Sequence, residues 1–295
     1  MLTLKRKTKG EAFFDAVNIT GMLLICFVTL YPIWYVLVNS FNNGADAMRG
    51  GIYWWPRMIS FENFKAVFAS PGIMTAMGVT VAKTLLGTVA HVLFTAMVAY
   101  AFSRRGLIGG RIYILLGTFT MFFSGGLIPT FLLIRDLELL DSFLVYIVPA
   151  LFSFFDLIIF MTFFREIPEG LEEAARIDGA NDWTIFLKVV LPVSMPVIAT
   201  IALFHGVYQW NDYFTGMIYV NNTDLQPIQT YLYRVVAQSS SNQMMNAVQG
   251  GLTKSVTSQS IKLATMVVTT LPIVFVYPFL QKYFVKGMMI GSIKG

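Results

Sequence analysis

The side chains able to do chemistry in this 295-residue chain fall into three groups. The first is an acidic run from Glu166 to Asp182, which includes Glu172, Glu173 and Asp178. The second is a pair of ionisable residues, Lys83 and Asp156, set inside apolar stretches. The third is the polar and aromatic string Gln209-Trp210-Asn211-Asp212-Tyr213. His91 and His205 are single imidazoles without metal-ligand spacing, and hydrogen bonding within the fold is the expected use of both. The one cysteine, Cys26, excludes an intramolecular disulfide, a CxxC motif and a cysteine zinc cluster, and it reads as a small hydrophobe. The chain contains no Gly-x-x-x-x-Gly-Lys-Ser/Thr phosphate loop, so it is not itself an ATPase. No catalytic residue, metal or cofactor is expected on it.

An ionisable group at the centre of a membrane span costs at least about 2.5–3.5 kcal/mol, which makes Lys83 and Asp156 candidates for a substrate path. The competing readings are that Lys83 snorkels from the outer part of its span and that Asp156 forms an interhelical pair. Gln209, Trp210, Asn211, Asp212 and Tyr213 carry the amides, acid and aromatic faces that hydrogen-bond and stack on sugars, and they are further path candidates. Trp210 and Tyr213 read equally well as interfacial anchors.

These groups must be held by membrane helices. Hydrophobic residues make up 56% of the chain and charged ones 13%, against about 45–50% and 25% in a soluble domain. The apolar residues form separate runs of about 20 or more, each long enough to cross about 30 Å of hydrocarbon as a helix. No in-out alternation of barrel strands is present. The reading is an all-α membrane protein of about six transmembrane helices, near 14–38, 73–102, 112–134, 143–164, 189–213 and 263–284. A segment 1–13 precedes this single transmembrane domain, 14–295. Lys5-Arg6-Lys7 and the run behind them resemble a secretory signal, but the run is too long and lacks a small-x-small cleavage site.

Thirteen lysines and arginines fall on one side and seven on the other, which predicts a multi-pass protein with both termini in the cytoplasm. The net charge of +5 then reflects retained cytoplasmic loops rather than nucleic-acid binding. Two outer segments are long. Phe41 to Gly72 contains Tyr53-Trp54-Trp55-Pro56, an interfacial aromatic anchor, and Gly216 to Lys262 is polar enough to be expected as an exposed loop.

The cytoplasmic loop at about 165–192 is the most informative stretch. Pro168 followed by Glu169, Glu172 and Glu173 is a helix start, because acids favour the positive end of the helix dipole. Leu171, Ala174, Ala175 and Asp178 share one face, and Gly179 allows a turn before Trp183, Ile185 and Phe186 begin a second amphipathic piece. A helix-turn-helix elbow follows, running into Leu191-Pro192.

Glu173-Ala174-Ala175, three residues, Gly179, nine residues, Val189, one residue and Leu191-Pro192 resemble the EAA loop of permease subunits of binding-protein-dependent ABC importers. Ile177-Asp178-Gly179-Ala180, Trp210-Asn211-Asp212 and the tail Gln281 to Gly287 are similar to the second permease of carbohydrate-uptake systems of the maltose type. Phe123 to Pro129 and Ser292-Ile293-Lys294-Gly295 resemble a subgroup for complex or acidic oligosaccharides, alginate and pectin fragments included.

The resemblance implies a type I importer permease fold in the bacterial cytoplasmic membrane, embedded in lipid. It also implies a sister permease, two ATP-binding subunits that carry ATP and Mg, an extracytoplasmic solute-binding protein and a sugar substrate. Glu172, Glu173, Ala174, Ala175, Asp178, Gly179, Ala180 and Phe186 would couple to the ATP-binding subunits. Gln249, Gly250, Gly251 and Lys254 of the outer loop would meet the binding protein.

Two other classes compete. Asp178-Gly179-Ala-Asn-Asp182 superficially resembles the acids of CDP-alcohol phosphotransferases, integral-membrane enzymes, but the rest of that motif is absent. A secondary transporter would show inverted halves or paired discontinuous helices, and neither is visible.

Overall fold

The computed structural model describes residues 8–104, 106–249 and 256–292, with side chains described for 8–104, 106–239 and 256–276. It is helical, and among the described residues the only β contact is an isolated bridge, Asn42 with Ile59. The chain divides into two compact units, 1–69 with 235–268 and 70–234 with 269–295.

In the first unit, Thr8 starts helix α1 (Lys9–Ser40) through a capping box. The Thr8 hydroxyl accepts the Glu11 N–H and the Glu11 carboxylate accepts the Thr8 N–H, which satisfies two orphan donors. Only Val38, Asn39 and Ser40 of α1 are buried, so its apolar length faces outward. The outer segment beyond it folds into α2 (Gly44–Met48) and α3 (Glu62–Ala69). Asn63 Nδ2 donates to the carbonyls of Ser40 and Asn42 at 2.9 and 2.8 Å, and Asp46 accepts from Asn42 and Arg57. The Trp34 indole donates to the Trp54 carbonyl and Trp55 packs edge-on against Trp34, which ties the aromatic string to α1.

The second unit is built on α4 (Pro71–Ser103). Around it lie α5 (Gly110–Phe122), α6 (Leu127–Asp136), α7 (Phe154–Arg165), α8 (Glu169–Ile177), α9 (Asp182–Ile185), α10 (Leu191–Val193), α11 (Met195–Asn211) and α12 (Phe214–Tyr219). Helices α13 (Ile228–Gln249) and α14 (Ser258–Ser292) contribute to both units. The core joins α4, α7 and α11, with Ala96, Ala99, Leu157, Phe160, Ile185, Val190 and Ile201 fully enclosed. Small residues let backbones approach: a Cβ on Gly117 would collide with the Phe154 ring.

The spans expected near 14–38, 73–102 and 263–284 lie within α1, α4 and α14. The other three are interrupted. The run 112–134 is α5 and α6 meeting at 114°, because Ser124-Gly125-Gly126 breaks the helix and Gly126 adopts a left-handed φ of 86°. The run 189–213 is bent by 81° beside Ser194, between Pro192 and Pro196. Among the described residues, three helices are long and apolar enough to cross a membrane, or up to five if each bent pair counts as one span.

The run 143–164 departs furthest from expectation. It is a single 3₁₀ turn at Phe143–Tyr146, irregular chain through Pro149, and then α7, whose 12 residues cover only about 18 Å. Pro149 lacks an N–H and disfavours helical geometry in the residue before it. The expected loop between Gly216 and Lys262 is also corrected. Its residues Ile228–Gln249 form α13, since no glycine or proline falls between Pro227 and Gly250 and Gln, Ala and Met are compatible with helix. Gln249 closes α13, while Gly250, Gly251 and Lys254 lie outside the described residues.

Backbone groups exposed by the interrupted run need partners, because lipid supplies none. The Tyr146 carbonyl accepts from Gln209 Nε2 at 2.9 Å, the Ala150 carbonyl from His91 Nδ1 at 2.8 Å, and the Leu151 carbonyl from the Thr95 hydroxyl at 3.5 Å. Ser153 restarts the helix by accepting the Asp156 N–H. Outside the spans, Asp141 clamps the loop before this run: its carboxylate accepts the backbone N–H groups of Asn221 and Asn222, which hold it below the usual carboxylate range.

His91→Leu removes a donor from a buried carbonyl and a partner from Asp156. The variant complex is expected to lose about 1–3 kcal/mol of stability, read as a lower unfolding temperature in detergent. An unchanged midpoint would show that the interrupted run does not need this donor.

Candidate functional site

Two polar systems stand out, both in the second unit. The first is the elbow expected at about 165–192. Pro168 precedes α8, Glu169 and Glu172 occupy its first turn and Arg176 its last, so the charges oppose the helix dipole at both ends. Gly179 stops the helix. Its φ is 81°, its N–H reaches the Arg176 carbonyl at 3.0 Å, and the Ala180 N–H reaches the Ala175 carbonyl at 2.9 Å, which together form a Schellman turn. Nothing lies within 4 Å of a Cβ at position 179, so glycine is required there by backbone geometry and not by space. Asn181 then accepts the Thr184 N–H to open α9, which continues as a π-helical turn, Phe186–Val190, into α10.

The elbow residues divide into two faces. Glu173, Ala174, Asp178 and Gly179 are exposed, together with Leu171, Ile177 and Trp183. Ala175 and Ala180 pack against the core, and Phe186 is buried in it against Tyr100, with ring centroids 5.2 Å apart. The Glu172 carboxylate turns inward to Arg104, the residue that ends α4. A cavity of about 1040 Å³ opens beside that pair, lined in part by Tyr100, Arg165, Glu173 and Arg176.

The second system is a column of polar side chains buried between α4, α7 and α11. Lys83 is fully enclosed, and its Nζ lies 3.1 Å from both the carboxylate and the carbonyl oxygen of Asp212, with the Tyr146 ring 4.8 Å away. Lys83 therefore does not snorkel. One turn further along α4, Gly87 leaves room for Gln209, whose amide nitrogen would sit 2.9 Å from any Cβ there. Gln209 also meets His205 at 3.3 Å, and His205 stacks on His91 with centroids 3.8 Å apart and planes 9° from parallel. His91 Nε2 lies 2.9 Å from Asp156. The Ala150 carbonyl can only accept, so His91 Nδ1 donates to it, and Nε2 is the nitrogen that faces the Asp156 carboxyl.

The column brings together Lys83, Asp156, Gln209 and Asp212 with both histidines. Trp210, Asn211 and Tyr213 lie apart from it. The Trp210 indole donates to the Thr269 carbonyl at 3.2 Å and borders an apolar groove of about 540 Å³ with Thr84, Thr88, Gly206 and Pro272. Asn211 is exposed and its amide donates back to Val207 of the same helix, while Tyr213 stacks on Tyr233. Among the described residues no group of three or more His, Cys, Asp or Glu side chains could hold a metal ion. Arg104, Tyr100 and Tyr146 carry no motif, so sequence reasoning passes over them. A lysine alone in an apolar run does signal that a partner must exist.

The described residues thus form a helical bundle in which an elbow enters a bent helix, and the family match gives its class, a transport permease. The chain belongs to the family described as the inner membrane component of binding-protein-dependent transport systems, whose model matches residues 1–290. It is similar to Protein LplC of Bacillus subtilis (strain 168), 39% identical, with 98% of this chain and 97% of that protein covered. It is 40% identical to the polygalacturonan/rhamnogalacturonan transport system permease protein YtcP of the same organism, over 96% of this chain and 98% of that one. A solved bacterial ABC transporter involved in the import of the acidic polysaccharide alginate has a similar chain: TM-score 0.87, 32% identity, covering 95% of this chain and 99% of that one.

Gly179→Val places a β-branched residue at a left-handed φ, a position that asparagine tolerates far better. Uptake by the assembled transporter is expected to fall several-fold in Gly179→Val and to stay near wild type in Gly179→Asn, with equal amounts of both complexes in the membrane. Equal uptake by the two variants would remove the turn from the mechanism.

Proposed function

We propose that this chain is one of two permease subunits enclosing a path for an acidic oligosaccharide. On this reading two ATP-binding subunits, which carry the ATP and Mg, grip the elbow, an extracytoplasmic solute-binding protein delivers the sugar, and both termini lie in the cytoplasm. The observation that carries the coupling role is the division of the elbow into a packed face and an exposed face that pairs acids with apolar side chains. Glu173 and Asp178 can meet basic residues of a partner while Leu171, Ile177 and Trp183 fill an apolar cleft. A rigid helix making different contacts in two states is what such coupling needs.

The acidic substrate class is supported by YtcP, named for polygalacturonan and rhamnogalacturonan transport, and by the importer of the acidic polysaccharide alginate. Lys83 is engaged by Asp212, so it does not pair with a sugar carboxylate in this conformation. Trp210, Asn211 and Tyr213 are the path candidates that reach a groove or the surface, and the segment around Gln249, Gly250, Gly251 and Lys254 is the proposed contact for the binding protein.

The test is the complete transporter reconstituted in lipid vesicles with its binding protein. Oligogalacturonides or alginate oligomers are expected to stimulate ATP hydrolysis and to accumulate inside, whereas neutral maltooligosaccharides do neither. Stimulation by the neutral sugars alone would overturn the acidic class and leave the permease assignment standing.

A further inference from the structure

Helix α8 buries none of its residues completely, so it is attached to the bundle through few contacts. It continues from α7 through 166–168 and rests Ala175 on the core, and two further attachments lead to other membrane helices. One is covalent: α9, the π-helical turn Phe186–Val190 and the bend beside Ser194 lead into α11. The other is the ion pair between Glu172 and Arg104. The guanidinium of Arg104 lies 4.0 Å from the Tyr100 ring of α4, which orients its planar fork, and one of its nitrogens is buried without a partner. Beside it, Arg165 at the end of α7 donates to the Phe102 carbonyl at 3.2 Å. The ends of α4, α7 and α8 are thus drawn to one point by arginines.

The two attachments close a loop. The covalent one ends in α11, which Asp212 terminates, and the ionic one ends in α4, which carries Lys83; Lys83 and Asp212 are themselves paired. We propose that Arg104 is a positioning residue that ties the coupling helix to α4, so that movement of α8 displaces two membrane helices together. Without it, α8 keeps its chain connections and the packing of Ala175 but loses its side-chain tie to α4. The pair is partly exposed, and such pairs add little to folding stability, so its value lies in where it holds α8. The proposal rests on the reading that α8 meets the ATP-binding subunits.

The experiment uses the full transporter in vesicles and measures uptake per ATP hydrolysed for Arg104→Gln, for Arg104→Glu, and for Arg104→Glu combined with Glu172→Arg. Arg104→Gln is expected to assemble in wild-type amounts and to lower the ratio at least about fivefold, the lower end of usual coupling factors. The combined variant should recover most of the loss seen in Arg104→Glu. A wild-type ratio in Arg104→Gln, or a combined variant no better than Arg104→Glu alone, would overturn the proposal. Gly179→Val run alongside separates the two readings. If it uncouples while Arg104→Gln does not, only the role of Arg104 fails; if neither does, the reading of α8 fails as well.

Discussion

A chain that crosses lipid must satisfy each backbone N–H and carbonyl from within itself, and the run expected to span at 143–164 is not one continuous helix. Between Tyr146 and Ser153 the chain is not helical, and the carbonyls it exposes are met by Gln209, His91 and Thr95. Those donors come from α4 and α11. To reach their acceptors the two helices must lie against each other and against α7, which is where the largest buried cluster forms. Gly87 has no side chain because Gln209 fills the space one would occupy. The histidine stack and the Asp156 contact follow, since His91 has to present one edge to the Ala150 carbonyl and its other nitrogen then faces the acid.

The same constraint bears on the buried charges. A polar group in the bundle is tolerated when its partners are complete, and a column with every member engaged rigidifies the helices that carry it. Lys83 and Asp212 join α4 to the C-terminal end of α11, and Asp156 joins α7 to α4. Residues that stand out by cost alone are thus paired within the bundle.

At the elbow the design is different: helix α8 stands nearly bare, with none of its residues completely buried. Successive residues on α8 are about 100° apart. Glu172 therefore turns to Arg104 while Glu173 stays exposed, so neighbouring acids have different surroundings. The left-handed glycine ends the helix where Ala175 and Ala180 can pack on the core, so the exposed face is held at a fixed angle without being buried.

The local patterns were legible without coordinates: the long apolar runs at α1, α4 and α14, the acid-to-base charge order of α8, the glycine that stops it, and the spacing that points to the family. Each depends on residues close together in the chain, through helix periodicity, dipole and turn geometry. The breaks were less legible, because a proline or Gly-Gly pair in a membrane segment permits a kink without requiring one. Helix α13 was missed because polar composition alone does not separate a loop from a polar helix. What only the tertiary structure decided is pairing across the chain: Lys83 with Asp212, His91 with Asp156 and Arg104 with Glu172 are separated by 129, 65 and 68 residues. No periodicity links such positions. Their meeting is set by which helices pack together, and that packing is governed by the carbonyls the interrupted run leaves open.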